Sequence, residues 1–222
     1  MKVLILGDSP LGKTGFGRVN YHAMQAFLRQ GWEVGAVLGL QTERHETDLP
    51  LVQFVPDKSD PMGMKRAMMV FQMEEFYPDI VYATGDPGSI AMIAMVIPAN
   101  VRFLAYCPIE GEPLFNTSWR AVLSEIDFFT CSNYGVKVVE DSLGKTVDMV
   151  YHGVDRNKFY PLTTDERKEY RERLGWDGKF IISVVAQNVR RKQLTRLIEA
   201  VAILKHQYHQ NDIVLYMHTV PF

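Results

Sequence analysis

Short runs of apolar and β-branched residues recur along the chain. Longer stretches between them bring apolar positions back every three or four residues. The runs at 2–6, 32–38, 51–55, 79–83, 101–106, 128–131 and 147–151 predict strands. Between most of them, the periodicity predicts helices over 16–30, 62–76, 88–97, 118–125 and 134–143. In the first helix Val19, Ala23, Ala26 and Phe27 recur at i, i+4, i+7 and i+8, which predicts one buried face. This alternation predicts an α/β fold, a parallel sheet with helices on both faces. Ligands of such sheets sit beyond the carboxyl ends of the strands.

The texture changes near residue 156. A polar stretch carrying Pro161 leads into a charged helix over 164–174, closed by Gly175. A β-rich run over 179–186 and a strand over 213–218 then flank an amphipathic helix. That helix places Leu194, Leu197, Ile198, Val201, Leu204 and Tyr208 on one face. We read a second αβ domain from about 180. It is small for an independent core, so the natural protein is expected to continue past Phe222.

Composition narrows the class. The 222 residues are 47% hydrophobic and 23% charged, as in a folded globular protein. Lys+Arg number 24 against 26 Asp+Glu, so no basic excess favours nucleic acid, which is not an expected partner. The longest uninterrupted apolar stretch, 90–97, is too short to span a bilayer. Residues 3–6 are too short for a secretory core. Cys107 and Cys131 form no CxxC, which suggests buried thiols in a reducing compartment. The expectation is a cytoplasmic protein.

The turn after the first strand carries the most chemistry. Residues 7–14, Gly7-Asp8-Ser9-Pro10-Leu11-Gly12-Lys13-Thr14, match the phosphate-binding pattern GxxxxGK[ST] and follow a strand. A P-loop NTPase is therefore one reading. Gly15 and Gly17 count against it, because a helix beginning at the Lys-Thr pair would carry both in its first turn. The helix more naturally starts near Phe16, with Lys13 and Thr14 in the loop. No well-placed Walker B acid supports the NTPase. A dinucleotide site lacks the third glycine, because Asn20 stands there, and the second strand ends without the ribose-binding acid. What remains is a turn whose backbone can approach a ligand, at a helix N-terminus suited to an anion, or a tight turn without one.

Four separated segments, in register over the whole chain, resemble the retaining glycosyltransferases of family 4. They are Thr14-Gly15-Phe16-Gly17-Arg18-Val19 with Gly31-Trp32-Glu33-Val34, then Cys131-Ser132-Asn133-Tyr134-Gly135. The third is Tyr151-His152-Gly153-Val154-Asp155 with Phe159 and Pro161. The fourth is Arg173-Leu174-Gly175 with Arg190-Arg191-Lys192 leading into Leu197-Ile198-Glu199-Ala200. The resemblance implies a GT-B fold of two Rossmann-like domains, the second incomplete. It sets an acceptor-side domain at 1–157, a linker with a helix at 158–178 and the start of a donor-side domain at 179–222. It implies transfer of a sugar from a nucleotide-sugar donor to an unidentified acceptor hydroxyl with retention, without a cofactor or metal. A degenerate GT-B domain that only binds a ligand is the non-catalytic alternative.

The same resemblance places Gly15, Phe16 and Gly17 against the donor phosphates and the acceptor. Lys192 matches the lysine that meets the donor diphosphate, with Arg191 as a helper. Read without it, Lys192 is a solvated residue of a helix's first turn. The family's arginine after the first strand of the second domain is here Gln187, beside Asn188, which we take with His152 as a cleft-lining residue. The family's histidine after a central strand is missing from 106–113. That loop offers Glu110 and Glu112, which could orient or deprotonate an acceptor hydroxyl or simply face solvent. Asp86 stands at another strand end as a third candidate acid, or as the N-cap of a helix with Pro87 at N1. No metal site is expected: no Asp-x-Asp occurs, and His206 and His209 lie on a polar helix face. Met62, Met64, Met68, Met69 and Met73 read as core and loop filler.

Overall fold

In a computed structural model, residues 1–39, 41, 43–114 and 116–219 are described. The chain divides after Gly153 into two compact units, Met1–Gly153 and Val154–Phe222.

The first unit is a seven-stranded, wholly parallel sheet. Its strands are β1 (Lys2–Gly7), β2 (Glu33–Val37), β3 (Leu51–Phe54), β4 (Ile80–Thr84), β5 (Arg102–Tyr106), β6 (Phe128–Thr130) and β7 (Asp148–Met149). They lie in the order β3-β2-β1-β4-β5-β6-β7. Alternate residues of β1 feed two cores, as a period of two requires. Leu4 and Leu6 pack with α2 (Met64–Val70), α3 (Pro87–Ala94), α4 (Thr117–Glu125) and α5 (Asn133–Leu143). Val3 and Ile5 pack with α1 (Gly15–Arg29) on the other face. Helices on both faces of a parallel sheet are what the sequence pattern predicts.

Two expectations about this unit need correction. The helix predicted over 62–76 is α2, less than half that length. After Val70 the N–H groups of Gln72 and Met73 turn back to Met69 and Val70, at 3.0 and 3.1 Å, which tightens the chain out of α-geometry. Glu74 and Glu75 would sit unfavourably at the negative end of a longer helix, and the turn lets Phe76 enter the core. The buried line of α1 is also rotated. Gly17, Asn20 and Met24 are buried and Ala26 is exposed, because the helix centres a polar residue, Asn20, on its inner face.

The second unit holds α6 (Thr164–Arg173), β8 (Phe180–Val185), α7 (Leu194–His206) and β9 (Ile213–His218). The helix α6 is started by a capping box in which Thr163 and Glu166 bond each other's backbone N–H. β8 and β9 pair in parallel from Phe180↔Ile213 to Val185↔His218. Among the described residues its buried apolar side chains are Leu194, Val201 and Ile213. Of the face expected on α7, Ile198 is exposed, and Tyr208 lies past the helix end, also exposed.

Two features of the first unit bear on its stability. Lys145 donates to the carbonyls of Leu123, Ser124 and Ile126 at the end of α4, and its ammonium lies 5.4 Å from the centre of the Phe128 ring. A cation there compensates both the helix dipole and unpaired carbonyls, so Lys145→Met should cost about 1–2 kcal/mol in urea unfolding. An unchanged midpoint would remove that role.

The second concerns Tyr106 and Cys107, at the end of β5. Burial pushes the Tyr106 phenol up to about 12 from 10.0. Burial, with the Asp86 charge second, pushes the Cys107 thiol up to about 12 from 9.0. The folded unit therefore holds both protons to higher pH than the unfolded chain. This stabilisation is complete below the unfolded values and is lost as pH rises from about 9 to about 12. The double variant Tyr106→Phe, Cys107→Ala should flatten the alkaline fall in unfolding midpoint. A fall as steep as in the unsubstituted chain would contradict this.

Candidate functional site

The chain runs from β1 outward to β2 and β3 on one side, then returns to β4 and continues outward on the other. The strand order thus reverses between β1 and β4, and the crevice beyond their carboxyl ends is where parallel sheets of this kind take ligands. Residues 8–14 and 85–86 line that point. Gly7 turns the chain there with φ +106, and a Cβ on it would lie 3.0 Å from the Thr84 carbonyl oxygen. Only glycine meets both demands.

The 8–14 loop is tied down by its own residues. The Asn20 amide donates to the Asp8 carbonyl at 2.7 Å. Gly12 N–H donates to the Ser9 carbonyl at 2.9 Å, and Leu11 N–H to the Ser9 hydroxyl at 3.2 Å. Thr14 is the N-cap of α1: its hydroxyl accepts from Gly17 N–H at 2.9 Å and donates to the Asp8 carboxylate. Gly17 packs so closely on the loop that a Cβ would lie 2.6 Å from the Ser9 carbonyl oxygen.

This geometry decides against the P-loop. The helix starts after the Lys-Thr pair, and the hydroxyl that a P-loop offers to a metal is spent on capping. Gly15 is different from its neighbours. It has no positive φ, and a Cβ on it would meet nothing within 4 Å. Among the described residues no acceptor bonds the N–H groups of Gly15 and Phe16. The fold does not demand a glycine there, whereas a ligand approaching the backbone would.

The candidate acids lie on two loops, after β4 and after β5. Asp86 is the N-cap of α3, accepting from Ser89 N–H at 2.8 Å with Pro87 at N1, as the simpler sequence reading has it. Glu110 and Glu112 are exposed on the loop after β5, and no hydrogen bond or ion pair among the described residues joins them to Asp86. His152 is engaged. The buried Tyr106 hydroxyl, at the end of β5, donates to the Val150 carbonyl at 2.8 Å and lies 3.2 Å from His152 Nδ1. The two rings meet edge to face at 5.2 Å. Sequence reading missed Asn20, visible only as a polar residue in line with Gly17 and Met24. It also missed Tyr106, which no pattern set apart from the core.

In the second unit, β8 is followed by half-buried Asn188 and a single 3₁₀ turn, Arg190–Lys192. Gln193, at φ 51, then begins α7 without a side-chain cap. Among the described residues no acceptor bonds the N–H groups of Leu194, Thr195 and Arg196. No carboxylate pairs with Arg190, Arg191 or Lys192 among them either. Three cations before an uncapped helix N-terminus form an anion-accepting arrangement. Charge divides along the chain as well. Residues 1–153 carry 12 Lys+Arg against 18 Asp+Glu, and 154–222 carry 12 against 8, together the −2 of the whole chain. Among the described residues no group of three or more His, Cys, Asp or Glu could hold a metal ion. No described helix is long and apolar enough to cross a membrane.

No family model matches the sequence, and no curated protein matches it. Solved structures do. One is an alpha-glucosyltransferase in complex with UDP and a 13-mer DNA containing a central A:G mismatch, 12% identical with a TM-score of 0.50. That alignment covers 97% of this chain and 55% of the other, so the chain spans about half its length. Another is an alpha-glucosyltransferase in complex with UDP and a 13-mer DNA containing a HMU base. It is 13% identical with a TM-score of 0.54, covering 98% of this chain and 68% of that one. At such identities the likeness is one of fold. The α/β architecture with its Rossmann-like parallel sheet is of the GT-B type that these glucosyltransferases share.

Proposed function

We propose that the chain belongs to a retaining glycosyltransferase that moves a sugar from a nucleotide-sugar donor to an acceptor hydroxyl. Residues 1–157 would form the acceptor-side domain, 158–178 the linker and 179–222 the beginning of the donor-side domain. The observation that carries this reading is the cationic turn Arg190–Lys192 set before the uncapped N-terminus of α7. A nucleotide sugar departs as a diphosphate, and positive charge with free backbone donors stabilises the charge that develops on it. Lys192 is assigned to the diphosphate, with Arg191 assisting and Asn188 beside them. Within the first unit, the unclaimed N–H groups of Gly15 and Phe16 are assigned to the acceptor or to an anionic group of a ligand.

UDP is the favoured nucleotide, because both alpha-glucosyltransferases of like fold are UDP complexes. Those two proteins also hold DNA, but charge disfavours a nucleic-acid acceptor here. The loops beyond the carboxyl ends of β1, β3, β4 and β5 carry Asp8, Asp57, Asp60, Asp86, Glu110 and Glu112 against Lys13 and Lys58. Such a rim repels a polyanion and suits a neutral hydroxyl compound. Of the acids, Glu110 and Glu112 are the freer to meet that hydroxyl, since one side of Asp86 is occupied by its cap.

A thermal-shift panel on the full chain, Lys13→Ala and Lys192→Ala tests this, using UDP, GDP and ADP with and without their sugars, and Mg-ATP and Mg-GTP. At about 100 times its Kd a ligand adds about 2.7 kcal/mol of stability. UDP should stabilise the unsubstituted chain and Lys13→Ala alike, without metal. Lys192→Ala should weaken UDP binding by about tenfold or more, the cost of one charge-assisted hydrogen bond. Stabilisation by Mg-ATP or Mg-GTP that Lys13→Ala abolishes would instead establish a P-loop nucleotide site.

A further inference from the structure

Trp119 lies in the first turn of α4, where its backbone N–H donates to the side chain of the N-cap, Asn116, at 3.1 Å. α3 begins beyond β4 and α4 beyond β5, so both first turns stand at the carboxyl-terminal edge of the sheet. The Trp119 indole reaches across to Gly88 in the first turn of α3. A Cβ on Gly88 would lie 2.7 Å from Cζ2 of that indole and 3.1 Å from its Cε2 and Cη2. Gly88 has no positive φ, so the indole and not the backbone demands a glycine there. The ring is thus seated on a helix backbone, yet the residue stays 39% exposed. Covering the open part would be favourable, and the fold itself does not cover it. Among the described residues the indole N–H meets no acceptor. Asp86, two residues before Gly88, caps the same turn of α3 through one carboxylate oxygen, at 2.8 Å from Ser89 N. It is exposed, and its other oxygen has no partner among the described residues. Asp86 also lies toward β5, since its charge is felt at the Cys107 thiol. A fixed aromatic surface, a donor and an anionic acceptor therefore share the strand ends that border the switch point.

We propose that Trp119 and Asp86 hold the acceptor, and that the acceptor is an uncharged saccharide. This rests on the glycosyl-transfer reading above. One side of a pyranose ring is lined by C–H groups, whose slight positive charge suits the negative face of an indole. The ring's hydroxyls donate to the free Asp86 oxygen and accept from the indole N–H. A few placed polar groups beside an apolar surface fix a small ligand's orientation in this way. Asp86 orients the sugar and takes no proton from it. A nucleobase would also stack on Trp119, but its phosphates would face Asp86, Glu110 and Glu112.

The test uses the full chain labelled with fluorotryptophan, in which Trp32, Trp119 and Trp176 report separately by fluorine NMR. The probes are maltose, cellobiose and lactose, with glucuronic acid and a single-stranded oligonucleotide as charged counterparts. At least one disaccharide should shift the Trp119 resonance saturably and leave those of Trp32 and Trp176 in place. By calorimetry, Trp119→Ala should weaken that disaccharide about tenfold. Asp86→Asn, which keeps a cap for Ser89 N–H, should weaken it about fivefold. Gly88→Ala should weaken it too, because its methyl displaces the indole without itself meeting the ligand. Far-UV circular dichroism and UDP binding should persist in all three variants. No Trp119 shift with any of the disaccharides, equal affinity in Trp119→Ala, or a stronger Trp119 response to the oligonucleotide would overturn the proposal. A chain that binds a disaccharide at Trp119 but never UDP would keep the saccharide site and count against glycosyl transfer instead.

Discussion

The first unit depends on how closely the backbone after β1 can pass over the end of β4. Gly7 makes that passage at φ +106, where a Cβ would lie 3.0 Å from the Thr84 carbonyl oxygen. The Asn20 amide then fixes the next carbonyl, that of Asp8, from inside α1. The bond from the buried Asn20 amide nitrogen to Asp8 ties helix and loop together, while its Oδ1 has no partner among the described residues. Everything offered at the switch point follows: the capped Thr14, the close approach of Gly17 and the open backbone at Gly15.

That constraint also explains why a phosphate-binding motif matched in letters can fail in structure. The pattern at 7–14 fixes the positions of glycines, a lysine and a threonine, but not which peptide becomes the first helical one. Here the Thr14 hydroxyl is drawn to Gly17 N–H and Asp8, so the helix begins one residue after it. The helix nevertheless carries Gly15 and Gly17 in its own first turn, so the glycines alone did not mark its start.

Much of the fold was legible because the strands keep a period of two and their helices one near 3.6. Strand positions came through with shifts of a residue or two at their ends, which leaves β7 only Asp148–Met149. Legibility failed where tertiary contacts overrule local periodicity. The amphipathic pattern past Val70 continues, but Phe76 must turn into the core, so α2 stops. On α1, the spacing of apolar residues does not register Asn20, which is polar yet fully buried. The candidate site divides the same way. The basic turn at 190–192 is local in sequence and visible there, whereas the Tyr106–His152 pair spans 46 residues and leaves no local trace.

Charge and backbone geometry together give the account its functional content: a basic second unit with an unclaimed helix N-terminus, and an acidic rim on the first. The most direct test is hydrogen–deuterium exchange of the full chain with and without saturating UDP in EDTA. The account predicts slowed exchange concentrated in residues 189–197, where the Leu194, Thr195 and Arg196 N–H groups have no acceptor of their own among the described residues. Unchanged exchange there, with protection confined to 8–14 and dependent on Mg²⁺, would contradict it.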